Sequence, residues 1–183
     1  MRVIAGEFGG RRLASVRAPG LRPTADRVRE ALFSILGDAV RDARVLDLYA
    51  GTGALALEAI SRGARSATCV ERSAGALRAL ERNVRDLGLD ARVRIERADA
   101  LAYARGLRDK TDRFDLVFCD PPYAEGLAPI LEDVVAREWW STAVVVEHAA
   151  ARTPETPAGL DADTRRYGDT GLTIFRRPMG DPR

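Results

Sequence analysis

From Arg44 to Glu147 short, nearly unbroken apolar runs alternate with segments of helical period, and this alternation constrains the fold more than any other feature. The expected order is strand Arg44–Tyr49, helix Ala54–Arg62, strand Ser66–Glu71, helix Ala74–Leu87 and strand Arg92–Arg97. Helix Ala100–Leu107, strand Phe114–Cys119, helix Leu127–Ala136 and strand Ala143–Glu147 follow. Strands that alternate with helices join by right-handed crossovers into a parallel sheet covered on both faces. The runs VLDLY, FDLVFC and AVVVE are nearly all apolar, as strands buried on both sides require. The tail changes character. Residues 150–163, rich in Ala, Pro and Asp, read as a loop, and Thr164–Tyr167 and Leu172–Arg176 flank the turn Gly168–Gly171 as an antiparallel hairpin. The prediction is an α/β fold with a seven-stranded, mostly parallel sheet, helices on both faces and an antiparallel C-terminal hairpin.

Ahead of this alternation the pattern differs. Residues 3–6 and 11–16 flank a glycine-rich turn, Gly6–Gly10, and read as an N-terminal β-hairpin extension. Pro23-Thr24 then opens a helix with Thr24 as N-cap, and Val28, Ala31, Leu32, Ile35 and Leu36 recur at helical spacing. Charge is uneven as well. Arg2, Arg11, Arg12, Arg17, Arg22, Arg27 and Arg29 outnumber Glu7 and Asp26, so residues 1–29 carry +5 within a chain of net +2. A basic arm on a mildly acidic body suggests contact with phosphates. Residues 1–22 are expected as the arm, 23–177 as the main domain and 178–183 as a flexible tail.

Length and composition exclude several classes. A chain of 183 residues suits one domain with a sizeable core, 46% hydrophobic residues leave no room for wholesale disorder, and no apolar run approaches the roughly 20 residues that cross a bilayer. The N-terminus lacks the long apolar stretch of a signal peptide. Cys69 and Cys119 are far apart and make neither a disulfide framework nor a zinc pattern. Two buried, reduced thiols in a cytoplasmic protein that needs no membrane and no metal are expected.

The first chemical motif is Asp47-Leu-Tyr-Ala50-Gly51-Thr-Gly53-Ala-Leu-Ala56, which leaves a strand and enters a helix. Glycines there let backbone approach a ligand, and the helix start offers free N–H groups. Twenty residues beyond Gly51, Glu71 ends the next strand, where a carboxylate can accept both hydroxyl protons of a ribose. Alone, this pattern fits a nicotinamide dinucleotide, an S-adenosylmethionine nucleoside or a tight turn. Asp47, at the strand end, would repel a pyrophosphate and attract a ligand ammonium. Asp99, closing the third strand, suits a hydrogen bond from an adenine amino group, a helix N-cap, or both.

The second motif is Asp120-Pro121-Pro122-Tyr123, directly after the fourth strand. Open α/β sheets bind ligands at the carboxyl ends of their strands. An amino group conjugated to a base ring is a poor nucleophile because its lone pair is delocalised. The Asp120 carboxylate and a carbonyl held outward by the stiff Pro-Pro can bind its two N–H protons and aim the lone pair at a methyl sulfonium. Asp120 would also stabilise positive charge growing on nitrogen, and Tyr123 offers a face for stacking a base.

The D-x-x-x-G-x-G, acid, acid, D-P-P-Y series resembles Rossmann-like class I S-adenosylmethionine-dependent methyltransferases that act on amino groups. The run Pro19 to Phe33, with Arg22, Thr24 and Arg27, and the opening Arg2-Val-Ile-Ala-Gly6 are similar to the RsmD-type family of small-subunit (16S) ribosomal RNA guanine-N2 methyltransferases. The likeness runs from Arg2 to about Arg176. It implies S-adenosylmethionine as cofactor and transfer to guanine N2 in ribosomal RNA, free or in an assembling small subunit, by a monomer. By the same resemblance Asp47, Ala50, Gly51 and Gly53 hold the methionine end, Glu71 the ribose, Asp99 and Ala100 the adenine, and Asp120, Pro121, Pro122 and Tyr123 the target base. Arg11, Arg12, Arg22, Thr24 and Arg27 would grip RNA beside the methyl group. Other amino groups (adenine N6, cytosine N4, protein glutamine) and a non-catalytic RNA-binding role are the alternatives. His148 reads as structural or surface, and Trp139-Trp140 as a core plug ending a helix.

Overall fold

The computed structural model describes residues 1–15, 23–108, 112–122 and 126–178, and only the backbone of residues 23–25. Its elements are α1 (Pro23–Leu36), β1 (Arg44–Asp47), α2 (Ala54–Ser61), β2 (Ser66–Glu71), α3 (Ala74–Asp86), β3 (Val93–Arg97) and α4 (Ala100–Gly106). Then come β4 (Phe114–Cys119), α5 (Ala128–Ile130), β5 (Trp140–Ala149), β6 (Asp161–Tyr167) and β7 (Thr170–Arg176). The strands form one sheet in the order β3-β2-β1-β4-β5-β7-β6. β3, β2, β1, β4 and β5 are parallel, while β7 runs antiparallel to both β5 and β6. The chain reverses its direction of winding between β1 and β4, and this is where such sheets open a crevice at their carboxyl edge.

Alternation along each strand sends side chains to two cores. On one face Val45, Leu116, Phe118, Val145 and Ile174 pack under α1, α2 and α3 against Leu32, Phe33, Leu57, Ile60 and Leu80. On the other Leu46, Val117, Val144, Val146 and Phe175 pack with Ala104, Ile130, Val134, Trp139 and Trp140. No described helix is long and apolar enough to cross a membrane.

Three stretches depart from the sequence reading. The helix expected over Leu127–Ala136 is a single turn, α5, that widens into a π-helical turn at Leu131–Val135. Trp140 does not end that helix; it begins β5, three residues before the expected Ala143, and pairs with Phe114. Its indole Nε1–H donates to Val134 O and Val135 O, both at 3.1 Å, so the buried ring satisfies carbonyls that the widened turn leaves open. At the C-terminus β6 begins at Asp161 inside the expected loop, and only Gly168 and Asp169 separate it from β7. β7 lies between β5 and β6 and pairs along its whole length with both, which draws the edge strand out.

The third difference concerns the arm. Antiparallel pairing is centred on Arg2 and Arg12, not on residues 3–6 with 11–16: Gly10 N–H donates to Val3 O at 2.9 Å, and Leu13 N–H to Met1 O at 3.1 Å. Ile4 and Ala5 are diverted because their N–H groups donate to the Glu58 carboxylate of α2, at 2.7 and 3.1 Å. Glu58 is wholly buried and also binds Arg62 Nε at 2.7 Å, with Arg29 Nε 3.7 Å away. Gly6 (φ +86°) follows, and a Cβ there would sit 1.9 Å from Ser61 O. Ala14 N–H donates to Asn83 of α3 at 2.6 Å, closing the dock. The basic segment is therefore clamped to α2 and α3 by buried polar contacts. Arg29, counted among the cations of the arm, is 5% exposed and spent on Asp26, Glu58 and Arg2 O, so it is turned inward, away from any phosphate. The backbone of Thr24 lies inside α1, which begins at Pro23; the expected cap by its side chain falls outside the described residues.

Candidate active site

The turn after β1 fixes the first half of the site. Gly53 begins α2 with φ +86°, its N–H donates to Ala50 O at 2.7 Å, and a Cβ on it would lie 2.4 Å from Leu80 Cδ1. Gly51 (φ +54°) has open space where a Cβ would project. Its N–H donates to Glu71 Oε2 at 2.9 Å, while Ser73 N–H donates to Oε1 at 2.6 Å. Glu71 thus ties the β2 end to the glycine turn, and each oxygen keeps a lone pair for a ligand. Asp99 N-caps α4 through Ala102 N–H at 3.0 Å and meets Arg72 Nη1 at 3.2 Å. Leu48 N–H donates to Phe118 O at 3.0 Å, which ties the strand end before Tyr49 to the one that leads to Asp120.

Two chambers open on this edge. The first, about 370 Å³, is lined by Glu71, Arg72, Asp99, Ala100, Asp120 and the Pro121-Pro122 corner, with Leu48 and Tyr49 on its near wall. Its volume lies within the roughly 300–1,000 Å³ of small-molecule sites. The second, about 280 Å³, is mainly apolar: Met1, Val28, Leu32, Phe118, Val145 and Leu172 line it, together with Ala50, Gly51 and Glu147. Tyr49 and Asp120 belong to both, so the chambers adjoin there.

The structure brings together Ala50, Gly51, Glu71, Asp99, Ala100, Asp120, Pro121 and Pro122. Asp47 does not line either chamber. It is 1% exposed beneath the turn, where backbone N–H groups of Ala56 and Tyr49 reach its carboxylate and Oδ1 has no hydrogen-bond partner among the described residues. Gly53 shapes the turn and faces Leu80. Arg11, Arg12 and Arg27 are exposed, and Arg11 Nη2 donates to Asp86 O at 2.9 Å. Arg22 and Tyr123 lie outside the described residues, as does the Thr24 side chain. His148 is buried and structural: Nδ1–H donates to Ala149 O, and Nε2 meets Thr173 Oγ1 at 2.9 Å. The sequence reading missed Glu147, Tyr49 and Arg72. Glu147 left one trace, an acid closing the apolar run AVVVE one register step beyond the Cys119–Val146 pair, hence beside Asp120.

The lining is acidic, and burial shifts its groups. Asp120 opens to the cavity but is otherwise enclosed by protein, which pushes its carboxyl up to about 6. Glu147 is pushed up to about 8, first by burial and then by the charge of Asp120. Burial, with Asp120 next, raises Asp47 to about 7. Among these chamber walls Arg72 and Arg29 are the side-chain cations, both engaged by carboxylates. Such a cleft favours a cationic ligand over a pyrophosphate. No described cluster of His, Cys, Asp or Glu has metal-site geometry.

A reversed-winding sheet with ligand-sized chambers at the β1/β4 edge and an acid-Pro-Pro corner is that of a Rossmann-like class I methyltransferase. The sequence profile described as "Conserved hypothetical protein 95" matches residues 1–176, and the chain belongs to that family, the RsmD-type methyltransferases. It is 32% identical to "Putative rRNA methyltransferase YlbH" of Bacillus subtilis (strain 168) over 97% of this chain and 99% of that one. Identity to "Ribosomal RNA small subunit methyltransferase D" of Escherichia coli (strain K12) is 41% across 127 residues, covering 69% of this chain and 62% of that protein. The solved structure "Putative methyltransferase yhhF from Escherichia coli" superposes with a TM-score of 0.83 at 32% identity and 97% coverage of each chain.

Proposed function

We propose that the protein transfers a methyl group from S-adenosylmethionine to N2 of a guanine in small-subunit (16S) ribosomal RNA, as a cytoplasmic monomer. One observation carries the reading: Asp120 stands where a carboxylate-lined chamber of nucleoside size meets a more apolar one of base size. The relatives named as small-subunit RNA methyltransferases support the substrate.

The residues present fit the cofactor. Glu71 is offered to a ribose and Asp99, with the Ala100 backbone, to an adenine, while Ala50 and the open side of Gly51 leave room for the amino-acid end. Asp47 acts from below by holding the N–H groups of the turn. The cofactor supplies an electrophilic methyl on a sulfonium, and the amino nitrogen is its acceptor. Asp120, ionised above about pH 6, accepts an N–H of the base amine, stabilises the positive charge growing on nitrogen and is in place to take the released proton. Pro121-Pro122 stiffens the corner that carries a second, carbonyl acceptor. Val28, Leu32 and Leu172 shield the planar base, with Tyr123 proposed as a stacking face. Arg11, Arg12, Arg22, Thr24 and Arg27 contact the RNA, which must expose a stacked guanine at a cost of about a few kcal/mol.

The test is transfer of labelled methyl to unmodified 16S RNA and to immature small subunits, followed by mass mapping. N2-methylguanosine at one position is expected. Label on adenine, on cytosine or on protein would overturn the guanine assignment, and no label with retained RNA binding would make the protein a binding factor.

A further inference from the structure

Glu147 has no part in the chemistry described so far. Its carboxyl faces the base-sized chamber from the end of β5, half-buried, next to Asp120 on the neighbouring strand. Among the described residues no hydrogen bond or ion pair engages it. Neighbouring strands lie about 4.8 Å apart, comparable with the span of a guanine's hydrogen-bonding edge from O6 to the 2-amino group. Val28, Leu32, Phe118, Val145 and Leu172 of the same lining are apolar, and Arg29 is taken up by Asp26 and Glu58. A polar group on the base is therefore the fitting partner for Glu147.

Resting on the guanine-methyltransferase reading above, we propose that Glu147 determines base specificity by pairing, as a neutral carboxylic acid, with the lactam edge of the target guanine. Its O–H donates to O6, its carbonyl oxygen accepts N1–H, and the adjacent 2-amino group is left to Asp120. A protonated carboxyl carries one donor and one acceptor side by side, the complement of a lactam. Adenine placed with its amine on Asp120 offers Glu147 the N1 acceptor alone, so one buried carbonyl goes unpaired. Sites built on such pairs reject the ligand that cannot complete them.

The electrostatics suit a neutral acid. Two neighbouring carboxyls share one proton between the two titrations, near 6 and near 8, and Asp120 is the first to ionise. The other groups around Glu147 do not reverse this. His148 turns its ring to Thr173, Arg29 is bound by Asp26 and Glu58, and Leu172 of β7 is apolar; Arg152 lines a smaller hollow together with Glu147, but burial and Asp120 are what shift the Glu147 carboxyl. Met1 closes the chamber from the N-terminal segment.

The experiment compares wild type, Glu147→Gln and Glu147→Ala for methyl transfer to 16S RNA at pH 7 and pH 9, with S-adenosylhomocysteine binding measured by calorimetry. Gln keeps one donor and one acceptor in place but does not titrate. Glu147→Ala is expected to lose about 10²-fold or more in kcat/KM for RNA while binding S-adenosylhomocysteine like wild type. Glu147→Gln is expected within a few-fold of wild type at pH 7, and to keep its activity at pH 9 where wild type declines. A Gln variant as poor as Ala, a fully active Ala variant, or an unchanged alkaline decline in Gln would each overturn the proposal. Wild type that makes no N2-methylguanosine overturns the function and this inference together, whereas failure of the variants alone leaves the function standing.

Discussion

The two chambers are built in opposite ways. The carboxylate-lined one takes its walls from residues at or next to their own strand ends: Glu71 and Arg72 at β2, Asp99 and Ala100 after β3, Asp120 to Pro122 after β4. The apolar one adds to the glycine turn and the β4 end walls from the N-terminal segment, α1, β5 and β7, regions more than 100 residues apart in sequence, and shares with the first only Tyr49 and Asp120. A crevice at a switch point comes with the parallel sheet itself. A pocket for a particular base has to be added by whatever packs across that edge, here a segment locked down through Glu58, Ser61 and Asn83.

The junction yields the largest expected effect. Asp120→Ala should lower kcat by roughly 10²–10⁴-fold, the scale of a lost acid–base group, with S-adenosylhomocysteine affinity nearly unchanged; single-turnover transfer and calorimetry check both halves. Next comes the clamp. Glu58→Ala strands Arg29 and the Ile4 and Ala5 N–H groups, so unfolding in denaturant should show a loss of about 3–5 kcal/mol. Methyl transfer should suffer more than cofactor binding, because the clamp supports only the apolar chamber. Equal loss of both would break the contrast.

Smaller effects probe the surface and the floor. Arg11 and Arg12 are exposed, and reversing both to Glu should weaken RNA binding and flatten the log–log salt slope by roughly one to two units, leaving the cofactor untouched. The weakest is a pH effect on stability. Asp47 titrates near 7 in the fold against 3.8 when unperturbed, so the folded state binds its proton more tightly. That contribution is complete below about pH 4 and is lost as pH rises through about 7. Asp47→Asn should remove this part of the slope, read from unfolding midpoints at pH 5 and pH 7.5.

The same contrast explains what could be read from the sequence. The strand–helix alternation, the glycine turn, Glu71, Asp99 and Asp120 were all legible because each function sits beside the strand end that presents it. Glu147, Leu172 and Leu32 were not, since nothing local says that β5, β7 and α1 converge on one cavity. Charge counting grouped Arg29 with the surface cations because it is blind to a buried carboxylate 29 residues away. The sequence around Trp140 reads as the end of a helix because its strand partners and the carbonyls that it satisfies come only with tertiary packing.

The most direct test is a crystal structure of the protein with S-adenosylhomocysteine bound. The adenosine should fill the chamber of Glu71 and Asp99, with the sulfur at the Asp120 junction, the amino-acid end beside Ala50 and Gly51, and the space among Val28, Leu32, Leu172 and Glu147 left free for a base. A ligand seated among Val28, Leu32 and Leu172, or one whose sulfur points away from Asp120, would contradict the division of labour between the two chambers.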